Sequence, residues 1–182
     1  MNKKIIVADV KWFTKRKLEG IQKQISIAVN PFYRNNIICA ASNINIGTDA
    51  IIIRKTCKDT ASSMFKKIKN SCEEFKNVVF VVREFYQLQF LIGIINFDNI
   101  IIAYEPYNKK MAPEEYRKNM LYLQTLFEKM FGSETKQKVT FICSGRMVDK
   151  HYIYFMWADG LLVQDESMHP SRIADVCNIF LQ

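Results

Sequence analysis

The feature that most constrains the fold is the alternation of short apolar runs with segments of helical periodicity. The runs typical of buried strands are 4–10, 36–41, 49–53, 77–82, 99–104, 138–143 and 159–163. Helical patterns cover 14–29, 59–75, 113–131, about 149–156 and 170–180, with a short helix expected within 85–98. Because strands separated by helices are typical of parallel sheets, this order predicts an α/β protein, either a barrel or a doubly wound sheet.

Length and composition predict one packed domain spanning residues 1–182. Apolar residues make up 49% of the chain, with 6 glycines and 4 prolines, which is typical of a globular core. The apolar runs are far shorter than a membrane span, so no membrane association is expected. The basic start MNKKIIVADVKWF is too short and too polar in its apolar part for a secretory signal.

The cysteines and histidines indicate a reduced, metal-free protein. The five cysteines form no C-x-x-C pair, and we read them as thiols in the cytoplasm. With only two histidines, His151 and His169, a His-based metal site is not expected, and no cofactor is expected either.

The net charge of +8 has two interpretations. The lysines are spread along the chain, which fits solvated helix faces. They also fit an acidic or nucleic-acid partner, although no DNA-binding or RNA-binding motif is present.

One connection is too short for a parallel sheet. The second and third strands are joined by SNINIGT, residues 42–48. A parallel crossover normally needs a dozen or more residues and a helix. The sequence therefore predicts that one βα unit is missing.

A carboxylate ends the fifth strand, in IIIAYEP, residues 100–106. This stretch resembles the signature of the triosephosphate isomerases, in which the Glu is the catalytic base. Further stretches are similar to the first, second and fifth strands, to the helix after the Glu, and to the last strand and helix of that family. They are IIVADVK, IICAAS, VVFVVRE, APEE and DGLLV…MHPSRIADVCNIF.

The resemblance implies a reduced (β/α) barrel of about seven parallel strands with one βα unit missing. Catalytic groups of such barrels lie where strands end. Glu105 would move a proton between neighbouring carbons of a triose phosphate, assisted by a neutral His under a lid that excludes water. Lys11 stands at the place of the substrate-binding Lys, and Asp9 replaces the Asn two residues before it.

Other parts of the family's apparatus are replaced. Lys55, in RKTCKD, stands where the His is expected. In the family, a Gly-rich segment follows the seventh strand. The matching segment of this chain is CSGR, residues 143–146, in which only Gly145 is kept and Arg146 is a candidate anion contact. Gln164 and Asp165 replace the Gly-Gly pair whose backbone N–H groups bind phosphate, and the carboxylate would repel a phosphate.

The lid and the dimer loop are also reduced. The segment YNKKMA, residues 107–112, lacks the family's Gly-rich tip. The missing unit includes the loop that locks two subunits together, so the family's dimer is not expected.

Three functions follow from these residues. The first is an isomerase-like protein that has lost activity and binds a protein partner or an acidic surface, with Glu105 in a salt bridge, for example to Lys11. The second is a minimal isomerase that uses Glu105 as base with Lys11, Lys55 and Arg146. The third is a scaffold whose exposed sheet edge docks to another protein or to its own copy.

Cys143 is either a nucleophile or, as we expect, a buried thiol.

Overall fold

The strands form a closed parallel barrel. The computed structural model describes residues 4–10, 15–42, 48, 50–108, 111–145, 155–164 and 170–182. Within them, seven strands pair in chain order and the last pairs with the first. They are β1 (Ile5–Asp9), β2 (Ile37–Ala41), β3 (Ala50–Arg54), β4 (Asn77–Val82), β5 (Ile100–Tyr104), β6 (Thr140–Gly145) and β7 (Gly160–Val163). The predicted reduced (β/α) barrel is confirmed, and the doubly wound alternative is wrong because the sheet has no free end.

Helices surround the barrel at nearly the predicted bounds. They are α1 (Lys15–Ala28), α2 (Ala61–Glu74), α3 (Pro113–Phe131), α4 (Ser133–Lys138) and α5 (Pro170–Phe180), with 3-10 helices at Pro31–Asn36 and Phe85–Leu91. A capping box formed by Thr60 and Ser63 starts α2, and Gly132, at φ +88°, ends α3. Two elements were not predicted from the sequence, α4 and the first 3-10 helix, and the range 149–156 of a further expected helix lies almost wholly outside the described residues. None of the described helices is both long and apolar enough to cross a bilayer.

Alternate strand residues form two cores. The inward set fills the barrel and, apart from one Leu, is Ala or β-branched: Val7, Ala40, Ala50, Ile52, Val79, Val81, Ile101, Ala103, Ile142 and Leu162. The outward set, with Phe80 at its centre, packs against the helices. On α3, Tyr116, Met120, Leu123 and Phe127 are buried and form the face of that helix that packs on the barrel.

Stagger explains how the short connection between β2 and β3 is possible. Ala50, the first residue of β3, pairs with Ala40, the fourth residue of β2. The start of β3 therefore lies beside the carboxyl end of β2, so the connection does not have to run back along the whole length of a strand. Summed around the barrel, the register shifts amount to about eight residues, the shear of an eight-stranded barrel. The largest single share of this stagger, three residues, falls at the β2–β3 step, where β3 starts opposite the fourth residue of β2.

Candidate functional site

A ring of polar side chains closes the carboxyl end of the barrel. Side chains along each strand alternate between the barrel interior and the helices. At the carboxyl end of each strand, the residue two positions beyond an inward-facing apolar residue is polar. We call this set the polar ring: Asp9, Ser42, Arg54, Arg83, Glu105, Ser144 and Gln164. Its members come from all seven strands, so the folding of the whole barrel is needed to bring them together.

Glu105 is the centre of the polar ring. Its Oε2 accepts from Arg83, with 2.7 Å to Nε and 2.5 Å to Nη2. Its Oε1 accepts from Ser144 Oγ at 3.3 Å and from the side-chain amide of Gln164. The backbone N–H of Glu105 also donates to the Val82 carbonyl at 2.9 Å, which fixes the residue against β4. Both carboxylate oxygens are therefore engaged by donors from three other strands.

Arg54 connects the rest of the ring. Its Nη2 lies 3.0 Å from Asp9 Oδ2, its Nη1 donates to Ser42 Oγ at 3.2 Å, and its Nε is 4.0 Å from Glu105 Oε2. The Asp9 side chain is only 2% exposed and that of Arg54 only 18%. Two guanidinium groups and two carboxylates thus balance one another within the ring.

Tyr116 of α3 holds the strand ends beneath Glu105. Its hydroxyl donates to the Tyr104 carbonyl and accepts from the Ser144 N–H at 2.9 Å. This hydroxyl joins β5 to β6 at the position where Glu105 and Ser144 meet. Burial raises the pKa of Tyr116 well above its usual value, so the phenol stays neutral and keeps its proton.

The charges around Glu105 decide its protonation. Burial alone raises the pKa of this carboxyl, but the hydrogen bonds from Arg83 and Gln164 and the charges of Arg54 and Arg83 outweigh it. The pKa of Glu105 consequently lies below its ordinary value. A general base works best with a pKa near the operating pH and with a lone pair aimed at the substrate. Glu105 has neither property in this arrangement.

Of the site residues predicted from the sequence that the structure describes, some lie near Glu105 and others do not. Gln164 contacts Glu105, and Gly145 ends β6, where it pairs with Val163. Lys55 does not reach the ring, because its Nζ donates to the carbonyl of the adjacent Thr56 at 3.2 Å. The predicted residues Lys11, Arg146, Asp165 and His169 lie outside the described residues.

Sequence reasoning missed the two arginines that contact Glu105. Arg54 and Arg83 lie in and just after strands, among predominantly apolar neighbours. The signal that would have found them is the period of two, since the inward residues Ile52 and Val81 precede them by two positions.

The remaining chemical candidates are inert in the described region. Cys143 is 1% exposed, and burial raises the pKa of its thiol, so it is not an activated nucleophile. Within the described residues, no three His, Cys, Asp or Glu side chains are grouped as a metal site.

Comparison with known proteins adds no assignment. No model of a known protein family matches the chain, and no curated protein sequence matches it either.

We expect acid to remove the contribution of Glu105 to stability. Because its pKa is lowered in the folded state, ionised Glu105 stabilises the fold at pH values above the unfolded value of about 4.3. That contribution is lost as the pH falls through the lower, folded pKa. The difference in thermal midpoint between wild type and Glu105→Gln should therefore be full at pH 7 and shrink below about pH 4. An unchanged difference down to pH 2 would contradict the lowered pKa.

Proposed function

We propose that this chain is a triosephosphate-isomerase-like barrel that has lost isomerase activity and acts by binding a partner. The observation that supports this most is the saturation of Glu105 by Arg83, Gln164 and Ser144. A carboxylate held in this way anchors the strand ends and is not free to move protons. A cytoplasmic location, expected from the five free cysteines, is part of the proposal.

The cost of freeing Glu105 supports the loss of activity. Hydrogen bonds to charged groups contribute about 1.5–3 kcal/mol each, and the Arg83 side chain, at 35% exposure, is not fully desolvated. Since each 1.36 kcal/mol is tenfold in rate, releasing Glu105 from one such bond would slow a reaction by roughly 10-fold to 100-fold. Among the residues that the structure describes, no His lies beside Glu105 to assist it as in the resembling family, and Arg54 Nε lies 4.0 Å from its Oε2.

The position proposed for phosphate is also changed. Gln164, which replaces the first Gly of the family's pair, turns its side chain into the ring and bonds both Glu105 and Ser144. Its amide thus occupies part of the mouth that would receive substrate. In the family, backbone N–H groups at this position face the phosphate.

A second candidate, a minimal isomerase interconverting glyceraldehyde 3-phosphate and dihydroxyacetone phosphate, is favoured by one observation. Glu105 lies at the carboxyl end of a barrel strand beside two guanidinium groups, and the Arg83 side chain is 35% exposed. A triose phosphate that drew Arg83 away would release the carboxylate.

A coupled isomerase assay separates the two candidates. Purified wild type and Glu105→Gln are assayed in both directions, with Glu73→Gln, an exposed carboxylate on α2, as the matched control. We expect equal rates for all three, at the level of contaminating host isomerase. Turnover in wild type and Glu73→Gln that disappears in Glu105→Gln would establish the minimal isomerase and overturn the proposal.

A further inference from the structure

The net charge lies almost entirely in the first part of the chain. Residues 1–76 contain 15 Lys and Arg against 6 Asp and Glu, a net charge of +9. Residues 77–182 contain 11 against 12, a net charge of −1. In the fold, the first part supplies β1, β2, β3, α1 and α2, so the excess positive charge belongs to one side of the barrel.

Exposed cations of this side form what we call the basic face. Its members lie on α1, on the 3-10 helix before β2, on the approach to α2 and on α2 itself. They are Arg16, Lys23, Arg34, Lys58, Lys66 and Lys67. None has a carboxylate within 4.0 Å among the described residues, whereas Lys136 and Lys138 of the second part pair with Glu128 and Asp98. Within the described residues, no direct ion pair therefore neutralises the basic face, although Asp59 lies near enough to Lys67 to interact with its charge.

The basic face borders the place where a βα unit is missing. The connections after β1, β3, β4 and β5 each contain a helix, whereas the connection from β2 to β3 has only residues 42–49, of which the structure describes Ser42 and Thr48. On their other sides, α1 packs against α5 and α2 packs against the 3-10 helix Phe85–Leu91. Thus α1 and α2 flank the β2–β3 seam.

Apolar side chains lie beside these cations. In β2, only Ala40 and Ala41 pair with β3, and the preceding Ile37 and Cys39 are half-buried. Phe32, just before β2, is 88% exposed, and Ile27 of α1 is 71% exposed. Large apolar groups with this exposure, next to unpaired cations, are typical of a surface that contacts another protein.

We propose that the basic face and the β2–β3 seam together dock an acidic, amphipathic segment of a protein partner. This inference rests on the proposed binding function and names its surface. Carboxylates on the partner would complement the positive charge of the basic face. Apolar side chains on the same segment would pack against the exposed Phe32 and Ile27 and the half-buried Ile37. A polynucleotide would meet the cations and stack a base on Phe32, but its largest apolar substituent is a methyl group, so it would cover Ile27 and Ile37 less well than Leu side chains.

The test uses a synthetic helical peptide with Glu on one face and Leu on the other. Cys57 is exposed, whereas the other four cysteines are half-buried or buried, and it lies beside Lys58, so a fluorophore attached there reports binding. We expect Lys23→Glu/Lys66→Glu to weaken peptide binding about tenfold at low salt, with the effect shrinking as salt is raised. The matched control, Lys118→Glu/Lys129→Glu on α3, reverses two exposed lysines elsewhere and should bind like wild type.

Two further probes complete the test. A peptide of equal charge with Ser in place of Leu should bind more weakly than the amphipathic one, and so should a uridine oligonucleotide. Equal loss in both double variants, or tighter binding of the oligonucleotide, would overturn the proposed surface. Either result would leave the isomerase assay, and with it the loss of activity, unaffected.

Discussion

Glu105→Gln is expected to lower the free energy of unfolding by about 3 kcal/mol. The substitution keeps the shape of the side chain but removes the charge that compensates Arg83 and Arg54. Glu105 is only 9% exposed, so water cannot take over this role fully. An amide can still accept from Ser144, but its NH₂ group meets a guanidinium or the amide of Gln164. The polar ring would lose the carboxylate that contacts Arg54 as well as Arg83.

Urea unfolding at pH 7 measures this effect, with Glu73→Gln as the exposed control expected to stay within about 0.5 kcal/mol of wild type. In thermal unfolding, a loss of about 3 kcal/mol corresponds to a lower midpoint by roughly 6–12 °C for a chain of this size. The double variant Glu105→Gln/Arg83→Gln should lose less than the sum of its singles, since the first change already breaks the pair. A stable Glu105→Gln would mean that the carboxylate is not an anchor and is free for chemistry.

The elements of the barrel were predictable because their signals are local. Apolar runs and helical periodicity identified all seven strands and the long helices. These patterns left a barrel and a doubly wound sheet as alternatives, because closure depends on register between strands far apart in the chain. The pairing of Ala40 with Ala50 lets the short β2–β3 connection close the sheet, and nothing in residues 42–48 indicates that stagger.

The site residues were likewise predictable only where their signal is local in the sequence. Glu105 was found because its motif is contiguous. Lys55 was predicted to lie in the site because it stands at the His position of a motif. The side chains of this strand, however, alternate between inward and outward from the inward-facing Ile52 onward. That alternation turns Arg54 into the barrel and leaves Lys55 bonded to Thr56. Side-chain direction, rather than proximity along the sequence, therefore decides which cation meets the carboxylate.

Gly160→Ala is expected to destabilise the protein by about 3 kcal/mol, because the barrel has no room for a methyl group there. A Cβ on Gly160 would lie 2.5 Å from Ile142 Cγ2 and 2.7 Å from the Ile5 carbonyl oxygen. The Ile142 side chain can turn, but the Ile5 carbonyl belongs to β1, which pairs with Gly160 to close the barrel. A barrel of seven strands is also narrower than one of eight, so its inward positions tolerate less volume.

Gly20→Ala is the matched control for the same added methyl group. Gly20 is exposed in the middle of α1, and a Cβ there would meet nothing within 4 Å. Because Ala is the better helix former, this variant should be more stable than wild type by about 0.5–1 kcal/mol. Urea unfolding should therefore move in opposite directions for the two substitutions, and Gly160→Val should fail to accumulate as soluble protein. If Gly160→Ala were as stable as Gly20→Ala, β7 could not lie against β1 at the observed distance, and the closure that assembles the polar ring would be wrong.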